Sequence, residues 1–125
     1  MDKPRLLIVE DEPDLAEIVS DFIESDFEPI ICTQPDRLLE ILSTHQIDIV
    51  LTDVNLPGFS GESIVRLIRQ YSKHAPIVLL TGQALDEPET QAAMQAGASG
   101  YIGKPFSSPQ EIIPVLKSAL LQEAS

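Results

Sequence analysis

Four of the short apolar runs in this 125-residue sequence are followed at once by polar side chains that could do chemistry. Glu10 and Asp11 follow the first run, Asp53 the third, Thr81 the fourth and Lys104 the fifth. Carboxylates a few ångströms apart raise one another's pKa or recruit a cation, and an all-oxygen acidic site suits Mg²⁺. A lysine beside them can pair with a carboxylate or with a bound phosphoryl group. If the fold brings these residues together, they form a magnesium site with a basic and a hydroxyl side chain beside it.

The same residues also have an ordinary structural interpretation. Aspartate after a strand, Thr-Gly and Lys-Pro are all common at turns. Taken singly, each is better explained as a turn residue than as a functional one. An acidic pair, an acid, a hydroxyl and a lysine at successive strand ends form a combination that chance seldom produces. We therefore interpret the set as functional.

The apolar runs themselves predict a buried parallel sheet. Each has the length of a strand, and most are rich in β-branched residues. They are continuously apolar rather than alternating, which indicates that helices cover both faces of the sheet. The five predicted strands are Leu6–Val9, Pro29–Cys32, Ile47–Leu51, Ile77–Leu80 and Gly100–Ile102.

Segments of helical periodicity separate the strands. The first has apolar residues at offsets 0, 3, 4, 7 and 8 from Leu15, behind Pro13, which suits a first helical turn. Further helices are predicted over 36–42, 62–71 and 88–96, and a last one after the capping-box sequence that begins at Ser108. Pro114 conflicts with an uninterrupted last helix, because proline removes a backbone hydrogen bond and clashes with the preceding turn. This helix must either kink or start late.

The alternation of strands and helices predicts a doubly wound, three-layer α/β fold with five parallel strands. In the strand order 2-1-3-4-5, strands 1 and 3 are neighbours at the switch point, beyond which ligands bind at the carboxyl ends of the strands. Glu10, Asp11 and Asp53 would then share one crevice.

Composition limits the classes of function. Eight Lys and Arg against twenty Asp and Glu give a net charge of −12, which repels phosphate backbones and anionic lipids, so we expect no direct nucleic-acid or membrane partner. Cys32 is the single cysteine, which excludes a disulfide framework and fits a reducing, cytoplasmic setting. No run reaches the roughly 18 apolar residues of a membrane span. We expect residues 1–125 to form one domain without an output domain.

The sequence resembles a known family at four motifs, in order and over essentially its whole length. The family is the receiver domain of two-component response regulators, which has the CheY-like, flavodoxin-like form of the fold predicted above. The motifs are Val9-Glu10-Asp11, Leu51-Thr52-Asp53-Val54-Asn55-Leu56-Pro57 with Gly61, Leu80-Thr81-Gly82, and Lys104-Pro105-Phe106.

The resemblance implies a phosphoacceptor and a metal site. Asp53 would take a phosphoryl group from a phosphohistidine of a sensor histidine kinase or a histidine phosphotransfer protein. Asp11 and Asp53 would ligate Mg²⁺ together with the backbone carbonyl of Asn55, and Glu10 would help to hold the ion through water. Glu10 stands where an aspartate is more usual, which lengthens the side chain and keeps the charge.

The resemblance also implies how the site would switch a partner surface. Thr81 and Lys104 would hold the phosphoryl oxygens, and Tyr101 stands where an aromatic residue often turns inward on activation. A downstream effector or output domain would read that change. Asn55 and Gln83 flank the approach of the water that slowly hydrolyses the aspartyl phosphate. Besides catalysing its own phosphorylation and dephosphorylation, the chain is not expected to turn over a small metabolite.

Three other functions were weighed against this one. A phosphatase of the haloacid dehalogenase type needs Asp-x-Asp after its first strand and a cap domain, whereas Asp53 follows the third strand and Asn55 stands two residues later. A flavodoxin-like flavin protein needs a phosphate loop rich in Ser, Thr and Gly with free amides, whereas the loop from Glu10 to Pro13 is acidic. The third alternative is a receiver-like module that binds partners without being phosphorylated, and the intact Asp11, Asp53, Thr81 and Lys104 argue against it.

Overall fold

Parallel strands and helices alternate along residues 3–82 and 87–124, which a computed structural model of the chain describes. Short 3₁₀ turns at Pro35–Arg37 and Pro109–Glu111 precede the second and fifth α-helices. The elements are β1 (Arg5–Val9), α1 (Pro13–Ile23), β2 (Glu28–Cys32), α2 (Leu38–Thr44), β3 (Ile49–Asp53), α3 (Gly61–Tyr71), β4 (Ile77–Thr81), α4 (Pro88–Gln95), β5 (Gly100–Gly103) and α5 (Ile113–Ala124).

The five strands form one parallel sheet in the order β2-β1-β3-β4-β5, which confirms the predicted fold. The register places the ends of neighbouring strands level with one another. Val9 of β1 lies opposite Thr52 of β3, and Thr81 of β4 lies opposite Gly103 of β5. Residues that follow these strands therefore emerge at the same edge of the sheet.

Apolar side chains bury both faces of the sheet, as the continuous apolar runs predicted. Leu6 and Ile8 of β1 pack with α1 and α5, whereas Leu7 and Val9 pack with α2, α3 and α4. Every residue of β3 and β4 is buried. Burying a Leu, Ile or Val side chain contributes about 1.5–3 kcal/mol, so the central strands supply the rigidity on which the polar edge rests.

Two helices begin differently from the sequence prediction. The Ser108–Glu111 capping box is present, but it caps the 3₁₀ turn rather than α5. The α-helix starts later, at Ile113, so that Pro114 lies in its first turn. Backbone N–H groups in a first turn have no acceptor within the helix, so the N–H that proline lacks is not missed there. The late start removes the conflict at Pro114. The chain over 35–37 is likewise a 3₁₀ turn, and α2 extends from Leu38 to Thr44.

Among the helices in the described ranges, none is long and apolar enough to cross a bilayer. Cys32 ends β2 and is buried, and its thiol donates a hydrogen bond to the carbonyl of Gln34 at 3.2 Å. The cysteine is therefore a packed strand residue.

Candidate functional site

The carboxyl ends of β1, β3 and β5 bring charged side chains together from distant parts of the sequence. Glu10 follows β1, Asp53 ends β3 and Lys104 follows β5. Glu10 and Asp53 expose only 1% and 4% of their surfaces. Buried charges are unusual unless they are paired, so these two carboxylates mark the edge of the sheet as a specialised site.

Glu10, Asp11 and Asp53 form an acidic cluster at this edge. One carboxylate oxygen from each residue can be chosen so that all lie within 4.8 Å of one another. Glu10 and Asp53 are buried and Asp11 is half-buried, so the cluster opens to solvent on one side. Hard carboxylate oxygens with access for water are the ligands that Mg²⁺ takes in proteins. The donor set therefore fits a magnesium ion.

Lys104 reaches into the acidic cluster and bonds two of its members. Its Nζ donates to Asp53 Oδ2 at 2.8 Å and to Glu10 Oε2 at 3.4 Å. Burial lowers the pKa of the Lys104 amine, but the hydrogen bond and charge of Asp53, together with Glu10, outweigh burial and raise it above its usual value. Its backbone N–H also donates to the Thr81 carbonyl at 2.8 Å, which ties the lysine to the end of β4.

The Asp53 side chain is held on both of its oxygens. Oδ2 accepts from Lys104, and Oδ1 accepts from the backbone N–H of Asn55 at 2.9 Å. The Asp53 carbonyl accepts a third bond, at 3.0 Å, from the hydroxyl of the buried Thr52. The loop that follows Asp53 thus fixes the orientation of its carboxylate. The backbone of Asn55 adjoins the acidic cluster.

The surroundings of the cluster raise the pKa of Glu10. Burial, a hydrogen bond to Asp53 and the charge of Asp53 raise the pKa of Glu10 to about 7, against the lowering effects of Lys104 and of the Glu12 N–H. A single ammonium group therefore does not compensate the crowded carboxylates. In the absence of a metal ion, Glu10 therefore gains or loses its proton near neutral pH, because its pKa is about 7.

The other predicted site residues lie on β4 and β5. Thr81 is buried at the end of β4. Tyr101 lies on the edge strand β5 with 40% of its surface exposed. Gln83 lies outside the described residues. The structure therefore places Thr81 at the level of the cluster and leaves the Tyr101 ring accessible at the sheet edge.

A shallow apolar groove of about 210 Å³ borders the acidic cluster. Its lining joins α1 to the segment after β5, and Lys104 belongs to both the groove and the cluster. The Lys104–Pro105 peptide is cis. The lining residues are Leu15, Ile18, Lys104, Pro105 and Phe106.

The periodicity of α1 did not predict this groove, because Leu15 and Ile18 belong to the same apolar repeat as the residues that pack on the sheet. Ile18 is in fact 47% exposed. The ring of Phe22 meets that of Phe106 edge-on, at a centroid distance of 6.1 Å, and this contact joins α1 to the loop that carries Lys104. The one available signal was the width of the apolar stripe of α1, which is greater than packing on the sheet alone needs.

A larger cavity, about 500 Å³, lies at the opposite end of the sheet, but its charged lining is already paired. Arg5 forms an ion pair with Glu28 at 3.5 Å, and its backbone N–H donates to Asp48 at 2.8 Å. Charges that satisfy one another leave little to recognise a ligand. We therefore place the functional site at the acidic cluster, where the carboxylates are crowded.

The pKa of Glu10 predicts a pH-dependent stability in metal-free, chelator-containing buffer. Because the folded protein binds this proton more tightly than the unfolded chain, the stabilisation is complete below about pH 4.5 and is lost as pH rises through about 7. We expect the free energy of unfolding from urea melts to fall by on the order of 2–3 kcal/mol between pH 5 and 8 from this group. Glu10→Gln should flatten the decline, whereas Glu17→Gln, on the exposed face of α1, should keep it. An unchanged slope in Glu10→Gln would contradict the prediction.

Comparisons with known proteins agree with the geometry. The family model described as the response regulator receiver domain matches residues 6–117. The transcriptional regulatory protein BaeR of Escherichia coli is 35% identical over 118 residues, which cover 94% of this chain and 48% of BaeR. The phosphate regulon regulator PhoB of Escherichia coli K12 is 32% identical over 119 residues, covering 93% of this chain and 51% of PhoB.

The chain thus spans about half the length of these curated relatives. Among solved structures, the chemotaxis response regulator CheY4 of Vibrio cholerae has a TM-score of 0.83 and 26% identity. That match covers 94% of this chain and 98% of the CheY4 chain. The chain belongs to the response regulator receiver domain family, and its role is that of a phosphoacceptor signalling domain in a two-component system.

Proposed function

We propose that Asp53 is the phosphoacceptor of this receiver domain. The observation that carries the proposal is the convergence on one buried carboxylate of a lysine, a loop N–H and two further carboxylates. Asp48, at the other end of β3, lacks such surroundings and is exposed. The phosphoryl group would come from a phosphohistidine of a sensor histidine kinase or a histidine phosphotransfer protein.

Transfer would proceed by nucleophilic attack of a carboxylate oxygen of Asp53 on phosphorus. The new O–P bond forms as the P–N bond to the histidine breaks, and its electron pair returns to the imidazole nitrogen. Nucleophile and phosphoryl group are both anionic, so repulsion opposes their approach. The Lys104 ammonium lies 2.8 Å from Asp53 and is placed to follow the phosphoryl oxygens as negative charge arrives.

The residues that would hold Mg²⁺ are Asp11, Asp53 and the backbone carbonyl of Asn55, with Glu10 acting through water. When bound, the ion neutralises phosphoryl oxygens and holds them in line with the nucleophile. The acidic cluster supports this assignment because its carboxylates are more numerous than the one ammonium group that Lys104 supplies. Glu10 must release its proton before it can assist the ion.

Thr81 and Tyr101 would carry the signal from the site to the surface formed by α4, β5 and α5. The Thr81 hydroxyl would bond the phosphoryl oxygens, and the space it leaves would admit the Tyr101 ring. Burial of Thr81 and exposure of Tyr101 are the starting arrangement that this change requires. The aspartyl phosphate would be lost by slow hydrolysis, with Asn55 beside the path of water.

The apolar groove beside Lys104 is the proposed contact for the phosphodonor protein. A phosphohistidine that reaches Asp53 would bring the surface of its own protein close to the groove, because Lys104 lines the groove and also contacts Asp53. The exposed Glu12, Asp14 and Glu17 surround the first turns of α1 with negative charge. We therefore expect a partner surface that combines an apolar side chain with basic residues.

The first prediction from this proposal concerns the acceptor itself. Incubated with acetyl phosphate and Mg²⁺, the wild-type protein should gain the mass of one phosphoryl group, and Asp53→Asn should gain none. Excess chelator should prevent labelling, and Asp36→Asn, at an exposed aspartate, should label like the wild type. Equal labelling of Asp53→Asn, or full labelling in chelator, would refute the assignment. A wild-type protein that never labels would instead indicate a binding module without phosphorylation.

The second prediction separates phosphorylation from signalling. Thr81→Ala should still accept a phosphoryl group on Asp53, because the nucleophile, Lys104 and the metal-binding carboxylates are all retained. Its phosphorylation-induced amide shifts on α4, β5 and α5 should be much smaller than those of the wild type, since the hydroxyl that draws the switch is gone. Shifts that match the wild type would contradict this coupling.

The third prediction tests the docking groove with two isoleucines of similar exposure. Ile18 in the groove is 47% exposed and Ile31 on the edge strand β2 is 40% exposed. We expect Ile18→Asp to lower the rate of transfer from a purified histidine kinase, relative to labelling by acetyl phosphate, by about tenfold, the effect of losing ~1.4 kcal/mol. Ile31→Asp should leave that ratio near the wild-type value. An equal loss in both variants would argue against a docking role for the groove.

A further inference from the structure

Thr90, in the first turn of α4, carries a buried hydroxyl that forms no hydrogen bond. Its side chain is completely buried, and its Oγ1 has no partner among the residues that the structure describes. A buried hydroxyl has lost its bonds to water, so leaving it unpaired destabilises the conformation that buries it. Such groups are uncommon in folded proteins, and each calls for an explanation.

Other hydroxyls of the chain show that the fold can satisfy such groups. Thr52 is as deeply buried as Thr90, yet its hydroxyl donates to the Asp53 carbonyl at 3.0 Å. The hydroxyl of Thr44, on α2, donates to the Glu40 carbonyl at 2.7 Å. Thr90 is at the third position of α4, and the residue four positions before it lies outside the described part of the chain. Within the described part, no group accepts from or donates to the Thr90 hydroxyl while α4 lies where it does.

The helix that carries Thr90 rests on the loop that follows Asp53. Ala93, three residues beyond Thr90 on the same buried face, packs on Gly61 at the start of α3. A Cβ added to Gly61 would lie 3.3 Å from the Cβ of Ala93 and 3.2 Å from that of Val54, the residue after Asp53. Gly61 thus lies between Val54 and Ala93 with no room for a larger side chain, and it links the residue after Asp53 to α4 by packing.

We propose that Thr90 biases the phosphorylation switch. In the unphosphorylated protein, α4 lies where the Thr90 hydroxyl has no acceptor among the described residues, and in the phosphorylated protein α4 moves to a position in which the hydroxyl is bonded. The unpaired hydroxyl raises the free energy of the first state relative to the second. By linkage, the same preference strengthens binding of the phosphoryl group at Asp53. This inference rests on the proposed phosphoacceptor function.

The test is Thr90→Val, which removes the hydroxyl and keeps the shape. Threonine and valine are both β-branched and have similar helix propensities, so those contributions cancel. Without ligand, the urea midpoint of Thr90→Val should rise above that of the wild type. With Mg²⁺ and beryllofluoride as the phosphoryl analogue, its affinity should be about fivefold weaker, which corresponds to ~1 kcal/mol for one neutral hydrogen bond.

Two variants serve as controls. Thr52→Val removes an equally buried hydroxyl that is already bonded, so its urea midpoint should fall rather than rise. Thr90→Ser keeps the hydroxyl and should retain the wild-type affinity for beryllofluoride.

The urea midpoint reports the hydroxyl in the resting protein, and the beryllofluoride affinity reports it in the phosphorylated form. A lower or unchanged midpoint in Thr90→Val would show that the hydroxyl is bonded in the resting protein and would overturn the proposal. A raised midpoint with unchanged beryllofluoride affinity would show that the hydroxyl is unpaired in both states, and would overturn it also. Failure of the wild-type protein to bind beryllofluoride would refute the phosphoacceptor function itself, and with it the switch.

Discussion

The ion pair between Lys104 and Asp53 is the contact on which the polar edge of the molecule depends. At 2.8 Å it joins the ends of β5 and β3 inside a group of carboxylates that repel one another. One ammonium group cannot neutralise all of them, and burial, together with the hydrogen bond and charge of Asp53, raises the pKa of Glu10. Repulsion of this kind would drive an isolated loop apart. Here the carboxylates stay together because β3, buried along its whole length, fixes Asp53 between β1 and β4. The fold thus holds a crevice in which added positive charge is favourable.

Much of this arrangement could be predicted from the sequence because parallel strands convert sequence position into spatial position. Glu10 and Lys104 are 94 residues apart in the chain, and they meet because each follows a strand of the same sheet. The strand order and the set of strand-end residues could be predicted for that reason. Residues whose roles depend on the details of packing could not be predicted in this way. Ile18 has the spacing of a core residue, and only the course of the chain after β5 leaves it in an open groove. The late start of α5 was one of two alternatives at Pro114, and the 3₁₀ turn behind Ser108 decided between them.

Threonine illustrates the same limit more sharply. Thr52, Thr81 and Thr90 are all buried, and nothing in their immediate sequence distinguishes one from another in hydrogen bonding. The Thr52 hydroxyl donates to the Asp53 carbonyl, whereas the Thr90 hydroxyl has no acceptor among the described residues. A hydrogen bond is made or lost over a few tenths of an ångström, a scale that residue type and periodicity do not encode.

The residues that stabilise the fold differ from those that favour a change at the site. The buried faces of the central strands are shared by any two states of the domain, so they stabilise both and favour neither. The unfavourable features, a raised pKa at Glu10 and an unpaired hydroxyl at Thr90, lie at the acidic cluster and in the first turn of α4. Each is worth on the order of 1–3 kcal/mol, the size of the difference that a ligand must overcome to shift a two-state surface. If Asp53 is the phosphoacceptor, as proposed, one phosphoryl group would displace this resting state without loss of the core.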